Sequence, residues 1–297
     1  MTDRLLGSGL IIVDKPTGMT SHDVISRLRR IFGTRRVGHA GTLDPMATGV
    51  LVVGIERGTR FLAHLVTETK TYRATIRLGA STTTDDAEGD ITSRTDTTDV
   101  TDTLIDAAIA QLTGDIMQKP AAVSAIKIDG KRAHERVRDG ETVDIPARPV
   151  TVHRFDVLDQ RSVDGYIDLD VDVFCSSGTY IRSLARDLGN ALGVGGHLTA
   201  LRRTTVGPFD LTHARTLEEL EDNPQLSLTL DQALAASFPI LRVSGEEGHK
   251  LAMGQWLEPR GLKGIHAAVT PDGQAVALVK EKGKRLATVF VARPSTL

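Results

Sequence analysis

The stretch "GHAGTLDPMATGVLVVG", residues 38–54, sets a single carboxylate, Asp44, between glycine-bearing segments. Pro45 disfavours helical backbone at residue 44, so we expect Asp44 in an extended or turn conformation. The flanking glycines allow a ligand or another backbone to approach closely. The apolar run Val50–Val53 then predicts a buried strand. The sequence therefore predicts a loop, mounted on a strand, that presents one aspartate.

Spacing alone leaves two interpretations of this loop open. Asp44 is either a catalytic carboxylate or the first residue of an Asp-Pro turn, whose side chain bonds its own backbone. His39, five residues earlier, is either a functional group of the same loop or an ordinary surface histidine.

Composition limits the class of protein. A chain of 297 residues suggests two units or one large one. No apolar run approaches the roughly 20 residues that span a membrane, and the start "MTDRLLGSG" lacks a signal-peptide pattern, so we expect a soluble, cytoplasmic protein without a membrane partner. The single cysteine, Cys175, excludes an internal disulfide and any multi-cysteine metal site.

Although the net charge is −2, three segments of the chain are basic: residues 21–39, 119–138 and 279–293. Each segment alone is typical of a solvated helix or strand face. Together, the three segments favour binding to a polyanion, such as a nucleic acid, as much as they favour a solvated surface.

Hydrophobic periodicity predicts most of the regular elements. A capping-box pattern at Thr20 and Asp23 begins a helix that Gly33 ends. From residue 240 onward, short strands separated by Gly and Pro turns predict a small β domain. Further strands are predicted at Leu10–Val13, Lys70–Leu78 and Ile167–Val173, and further helices at Thr59–Leu65, Leu104–Leu112 and 181–192.

Common cofactor and metal signatures are absent from the sequence. It contains no G-x-x-x-x-G-K-[ST], G-x-G-x-x-G, H-E-x-x-H or G-x-S-x-G motif, so no cofactor and no metal are predicted. Asp168, Asp170 and Asp172 alternate along one strand, and Asp85 and Asp86 share a polar loop; we expect both groups to be solvated.

Several motifs together resemble one family. The residue 38–51 stretch "GHAGTLDPMATGVL" resembles the signature loop of the bacterial TruB family of T-loop pseudouridine synthases. The resemblance continues in the family's order through the motifs "DKPTGMTSHD" (14–23), "KTYRATIRLG" (70–79), "CSSGTYIRSLARDLG" (175–189) and "HLTALRRTTVGPF" (197–209). The last 60 or so residues match less distinctly, about one-fifth of the chain.

The resemblance implies a fold class and a domain organisation. The class is α+β, with a mixed, largely antiparallel pseudouridine-synthase sheet and flanking helices. The catalytic domain would cover residues 1–239, with an RNA-clasping insertion at about 119–149. Residues 240–297 would form a small, β-rich, PUA-like RNA-binding domain.

The resemblance also implies roles for individual residues. Asp44 would be the catalytic carboxylate, kept ionised by Arg182 beside it, and Tyr72 would stack on the target base and help remove the proton from its carbon 5. Residues at further matching positions would bind substrate: Lys15 as support for the loop, His39 in the gap left by a flipped-out base, Lys127 near the tip of the clasp, Tyr180 as a polar anchor and Leu201 as an apolar wall.

The implied activity is isomerisation of the T-loop uridine of tRNA, position 55, to pseudouridine. The net charge of −2 is compatible with a monomer. Asp44 would either attack ribose carbon 1 or remove a proton from carbon 2, since both steps need the same ionised carboxylate. Two other functions stay open. A tRNA-binding folding factor would also use the basic segments but would not need Asp44, Tyr72 and Arg182, and an aspartate-dependent nuclease would need a metal-ligand cluster that the sequence lacks.

Overall fold

A computed structural model describes residue 5 and residues 7–65, 68–121, 127–128, 131–132 and 145–296. The chain divides into two compact units. The first unit comprises Met1–Pro45, Gly49–Val66 and Val206–Leu297, and the second comprises Met46–Thr48 and Thr67–Thr205.

The described strands, in chain order, are β1 (Gly9–Lys15), β2 (Val37–Ala40), β3 (Thr48–Ile55), β4 (Lys70–Leu78), β5 (Ala80–Thr82), β6 (Ile91–Arg94), β7 (Gly114–Gln118), β8 (Lys127–Ile128), β9 (Lys131–Arg132), β10 (Arg148–Val163), β11 (Tyr166–Cys175), β12 (Gly196–Val206), β13 (Phe209–Asp210), β14 (Leu228–Thr229), β15 (Ile240–Arg242), β16 (Ile265–Val269), β17 (Ala275–Lys282) and β18 (Arg285–Val291).

The described α-helices are α1 (Ser21–Ile31), α2 (Gly58–Phe61), α3 (Asp102–Gln111), α4 (Ile181–Ala191), α5 (Leu217–Asp222), α6 (Leu230–Ser237) and α7 (Gly245–Ala252), with short 3-10 turns at Leu62–His64 and Leu211–His213. Among the residues that the structure describes, no helix is long and apolar enough to span a membrane.

In the first unit, β1 lies between β14 and β3 and is antiparallel to both. Strand β2 pairs with β3, again antiparallel. The apolar residues predicted as strands, Leu10–Val13 and Val50–Val53, are fully buried at the centres of β1 and β3. They form strands because each is a short apolar run between turn residues, which favours a strand buried on both faces.

Helix α1 begins with the predicted capping box. The hydroxyl of Thr20 accepts a hydrogen bond from the Asp23 N–H, and the Asp23 carboxylate accepts one from the Thr20 N–H. The helix ends at Ile31 with Phe32 as its C-cap, and Gly33 follows with a φ of 61°, a conformation that glycine adopts without strain. The helix begins and ends where the sequence predicted.

The C-terminal sheet belongs to the first unit and is covered differently on its two faces. Strand β15 is parallel to β16, and β16, β17 and β18 follow in antiparallel order. Helix α7 covers one face, where Leu251 packs with Val279 and Leu286. On the other face, Leu278 and Phe290 join the apolar core of the first unit. The β-rich character predicted from residue 240 onward is confirmed.

The second unit contains the strand order β12-β4-β11-β10-β7. Strand β4 covers the predicted Lys70–Leu78 and pairs with β11 in antiparallel register, from Leu78 opposite Ile167 to Lys70 opposite Cys175. Strands β11, β10 and β7 continue the antiparallel pattern. The α+β class with a largely antiparallel sheet is confirmed.

The expectation of a solvated row of aspartates on β11 is wrong. Asp168 is only 4% exposed, and the guanidinium of Arg77 binds its two carboxylate oxygens at 2.8 and 2.9 Å. Asp170 accepts a hydrogen bond from Arg161 at 2.6 Å, and this bond lowers the pKa of the Asp170 carboxyl. The row is a ladder of ion pairs, because basic side chains of the neighbouring strands face it.

The predicted insertion at 119–149 lies largely outside the described residues. Its described parts include β8 and β9, which pair as a two-residue antiparallel ladder, and the first residues of β10.

Backbone segments of the first unit approach each other closely at glycines. A Cβ atom added to Gly58 would lie 2.0 Å from the carbonyl oxygen of Gly9, well inside any real contact. By contrast, a Cβ added to Gly245, the first residue of α7, would meet nothing within 4 Å.

Gly58→Ala is therefore expected to lower the free energy of unfolding by about 1–3 kcal/mol, because the added methyl group forces the backbone of β1 away. Gly245→Ala is the matched control and should change stability little. Urea denaturation of both variants tests the difference, and equal stabilities would contradict the close approach.

Candidate active site

In the first unit, the backbone on both sides of Asp44 is held in place. The hydroxyl of Ser21, at the start of α1, accepts a hydrogen bond from the Leu43 N–H at 2.9 Å and donates one to the Leu43 carbonyl at 3.0 Å. On the other side, the Pro45 carbonyl accepts the Gly18 N–H at 2.8 Å. Asp44 itself is half-buried. The loop therefore fixes the aspartate while leaving part of it accessible.

Lys15 connects this loop to the turn after β1. Its side chain is fully buried, and its ammonium group donates hydrogen bonds to the carbonyl oxygens of Met19 at 2.6 Å, Pro16 at 2.9 Å and Pro45 at 3.3 Å. An ammonium group has three donors and no acceptor, so it suits a site made of carbonyl oxygens. The structure thus brings Lys15 and the Asp44 loop together.

His39 lies on β2, opposite Val53 of β3, and is partly exposed. It therefore sits on the strand that leads directly into the Asp44 loop.

The second unit holds the other predicted residues. Tyr72 lies on β4 opposite Val173 and is 7% exposed, on the same strand face as Ala74 and Ile76. Leu201 is buried on β12, the strand next to β4. The structure therefore places Tyr72 and Leu201 on neighbouring strands.

Arg182, in the first turn of α4, is 5% exposed and faces an acid that the sequence analysis assigned to solvent. Its guanidinium donates to the carbonyl oxygen of Thr84 at 3.1 Å and lies 3.5 Å from a carboxylate oxygen of Asp86. Asp86 is itself buried and accepts hydrogen bonds from the Thr84 hydroxyl and the Glu88 N–H. The solvated assignment of Asp86 is wrong, since its carboxylate neutralises a buried arginine.

Asp85 was also expected in solvent, and that expectation is wrong too. Its backbone has a φ of 60°, and its carboxylate lies 3.1 Å from the guanidinium of Arg186. Burial raises the pKa of the Asp85 carboxyl, against the opposing effect of Arg186 and Arg182. The sequence does carry a signal for this arrangement: Arg182 and Arg186 are four residues apart on an amphipathic helix, so both need acidic partners if that side is covered.

Gln118 is a further residue that the sequence analysis missed. Its buried side-chain amide accepts the N–H of Tyr180 at 2.8 Å and donates to the Tyr180 carbonyl at 3.1 Å. Tyr180 is the N-cap residue immediately before α4. The end of β7 therefore fixes the backbone that precedes Arg182.

Two titratable groups lie at the paired ends of β4 and β11. Burial, with a contribution from Arg203, lowers the pKa of the Lys70 amine to about 8. That amine donates to the Glu68 carbonyl at 2.7 Å and to the Ser177 hydroxyl at 3.3 Å. Burial raises the pKa of the Cys175 thiol to about 11, so this thiol stays protonated near neutral pH and is a poor nucleophile.

The described residues contain no group of three or more His, Cys, Asp or Glu side chains that could hold a metal ion. Lys127 lies in β8, and its side chain falls outside the described structure. The pairing of Asp44 with Arg182 stays a prediction.

Comparison with known proteins identifies the family. Three family models match successive parts of the chain: the N-terminal domain of TruB family pseudouridylate synthases (residues 29–181), the C-terminal domain of tRNA pseudouridylate synthase B (182–236) and the C-terminal region of tRNA pseudouridine synthase II (238–293). The first match alone covers half of the chain. The chain belongs to the TruB family of pseudouridylate synthases.

Relatives of this TruB family member match it over nearly the whole chain. A protein named tRNA pseudouridine synthase B from Corynebacterium efficiens is 73% identical over 297 residues, 100% of both chains. The protein of that name from Nocardia farcinica is 60% identical and covers 97% of this chain and 94% of its own.

Solved structures share the TruB fold at lower identity. A chain in a Cbf5-Nop10-Gar1 complex is 27% identical with a TM-score of 0.74, covering 98% of this chain and 87% of that one. A chain in an H/ACA RNP bound to a substrate RNA containing 2'-deoxyuridine is also 27% identical, with a TM-score of 0.72 and coverage of 96% and 85%.

Ser21→Ala removes both hydrogen bonds to the backbone of Leu43 and should lower the turnover rate on RNA by about tenfold, because the neighbouring Asp44 is no longer held in position. Ser26→Ala on the same helix is the matched control, since the Ser26 hydroxyl bonds only within α1 in the described contacts. Single-turnover assays measure the effect. Equal rates for the two variants would contradict a positioning role of Ser21.

Lys70 should make stability depend on pH. Because its pKa falls from 10.5 in the unfolded chain to about 8 in the fold, the unfolded state binds more protons between these values. The free energy of unfolding should therefore rise from pH 8 to pH 10.5 more steeply in the wild type than in Lys70→Met.

Urea denaturation across that pH range tests the difference. The exposed Lys282, replaced by Met, serves as the control that should keep the wild-type slope. Parallel curves for wild type and Lys70→Met would contradict the lowered pKa.

Proposed function

We propose that this protein converts the uridine at position 55 in the T loop of tRNA to pseudouridine, with Asp44 as the catalytic carboxylate. Family membership along the chain supports the reaction. The assignment of Asp44 rests on the geometry of its loop. Hydrogen bonds with Ser21 and Gly18 fix the residues on either side of Asp44, whose carboxylate is partly accessible.

The reaction is an isomerisation that requires no electron transfer. The bond between ribose carbon 1 and uracil nitrogen 1 breaks, the base turns, and carbon 1 bonds to uracil carbon 5. Carbon 5 loses its hydrogen as a proton, and nitrogen 1 gains a proton. An ionised Asp44 supplies the nucleophile for carbon 1 or the base for carbon 2 in the first of these steps.

The remaining residues receive supporting roles in the proposal. Arg182 stabilises the negative charge of Asp44, and its near-complete burial beside Asp86 gives the guanidinium a fixed position. Tyr72 stacks on the uracil and assists removal of the proton from carbon 5. Lys15 holds the Asp44 loop, Tyr180 and Leu201 bind the base, and His39 fills the space that the base leaves.

We propose that two segments of the chain bind RNA. Residues 119–149, with Lys127, clasp the RNA as an insertion in a catalytic domain of residues 1–239, and residues 240–297 act as a PUA-like domain. Contacts from basic side chains to phosphates give affinity but little sequence information. We further propose that the protein acts as a monomer in the cytoplasm, the compartment of its tRNA substrate.

Release of tritium from carbon 5 of uridine tests the proposal. The wild type, incubated with unmodified tRNA carrying [5-³H]uridine, should release about one label per tRNA without added cofactor. Asp44→Asn keeps the size of the side chain but loses its charge, so its rate should fall about 10³-fold or more while tRNA binding persists.

Asp222→Asn, an exposed residue at the end of α5, is the control and should keep the wild-type rate. Turnover by Asp44→Asn within a few fold of wild type would refute the role of Asp44. Tight binding without any tritium release by the wild type would instead favour the folding-factor function.

A further inference from the structure

On one exposed part of the C-terminal sheet, lysine and arginine side chains surround an aromatic ring. The face of β17 opposite α7 carries Leu278, followed by Lys280 and Lys282. Both lysines are exposed, and the residues that alternate with them along the strand point to the other face. Across the hairpin, Arg285 pairs with Lys282 in the antiparallel register, so their side chains share this face. Lys284 lies exposed in the connecting turn.

Trp256 is anchored to the same face. The next residue, Leu257, exchanges two backbone hydrogen bonds with Leu286 of β18, at 3.0 and 2.8 Å, and both leucines are buried beneath α7. Because side chains alternate along an extended segment, Trp256 points to the opposite side, where the guanidinium of Arg285 lies 4.8 Å from its ring centroid. Trp256 nevertheless stays 45% exposed.

The surroundings of the ring are predominantly basic. Exposed cations are Lys280, Lys282, Lys284 and Arg285, whereas Glu258 is an exposed acid nearby. The carboxylate of Glu281 is engaged by the backbone N–H groups of Arg260 and Leu262, at 2.6 and 2.9 Å. The charge of this surface therefore complements a phosphate backbone.

Large aromatic side chains gain free energy when buried, and an exposed tryptophan amid cations matches the composition of sites for single-stranded nucleic acid. There, bases stack on aromatic rings while lysine and arginine contact the phosphates. A base-paired duplex offers the phosphates but keeps its bases stacked on one another.

We propose that Trp256, Arg285 and the lysines at 280, 282 and 284 form a stacking platform for an unpaired nucleotide of the RNA substrate. This platform is separate from the residues proposed for chemistry. The inference rests on the proposed function only in taking RNA as the partner.

Trp256 is the single tryptophan of the chain, so its fluorescence reports on this platform alone. Titration of the full-length protein with an oligoadenylate of about ten nucleotides should quench the emission to saturation. A blunt-ended RNA duplex of equal phosphate content should quench it far less. Because the oligoadenylate contains no uridine, the result is independent of turnover, and the tritium assay tests the proposed function separately.

Charge reversal locates the phosphate contacts. Lys282→Glu should weaken oligoadenylate binding by about tenfold or more at low salt and flatten its salt dependence. Lys250→Glu makes the same charge change on α7, which covers the opposite face of the sheet, and should have little effect. Trp256→Ala, followed by filter binding, should weaken binding about tenfold.

Three results would overturn the platform. One is the absence of quenching by oligoadenylate in a protein that binds and converts tRNA. Another is equal quenching by duplex and single strand, since simple attraction to phosphates would explain it. The third is equal weakening by Lys282→Glu and Lys250→Glu, which would indicate a diffuse charge effect.

Discussion

The ammonium group of Lys15, buried where β1 ends, donates hydrogen bonds to carbonyl oxygens of the turn after that strand and of the Asp44 loop. Removing a charged amine from water is costly, and the carbonyl oxygens offset the cost only while both segments keep their positions. This requirement couples the loop to β1, whose apolar residues are fully buried. Ser21, in the first turn of α1, forms two further hydrogen bonds to the backbone of the loop. The loop is therefore attached to both a strand and a helix.

The second unit also holds a buried cation, but there carboxylates replace carbonyl oxygens as its partners. Arg182 of α4 is buried and Arg186 is only partly exposed, and Asp86 and Asp85 supply the negative charge beside them. A buried guanidinium with a fixed carboxylate beside it cannot rotate freely, because the unpaired charge would be destabilising. The amide of Gln118 adds a second restraint at the start of the same helix. Arg182 is therefore positioned by residues that are not themselves proposed to touch the substrate.

Much of the framework could be predicted from the sequence, because periodicity and capping are local properties. The alternation of Lys70–Leu78 predicted β4 with its ends, and Thr20 with Asp23 predicted the first turn of α1. The partners of acids could not be predicted in this way. Alternation places Asp168 on one face of β11, but whether Arg77 covers that face depends on strand order, which the alternation does not encode.

The contacts that hold the candidate site also join residues far apart in the chain. Gln118 and Tyr180 are separated by 62 positions, and Lys15 and Pro45 by 30. The resemblance to the TruB family pointed to Lys15 and Tyr180 as site residues. Only the fold shows which contacts hold them in place. The role of Asp44 at position 55 can be tested by mapping pseudouridine at every uridine of an unmodified tRNA transcript after reaction with the wild type or with Asp44→Asn. We expect modification at position 55 by the wild type and none by the variant. Modification elsewhere alone, or equal modification by both proteins, would contradict this role of Asp44.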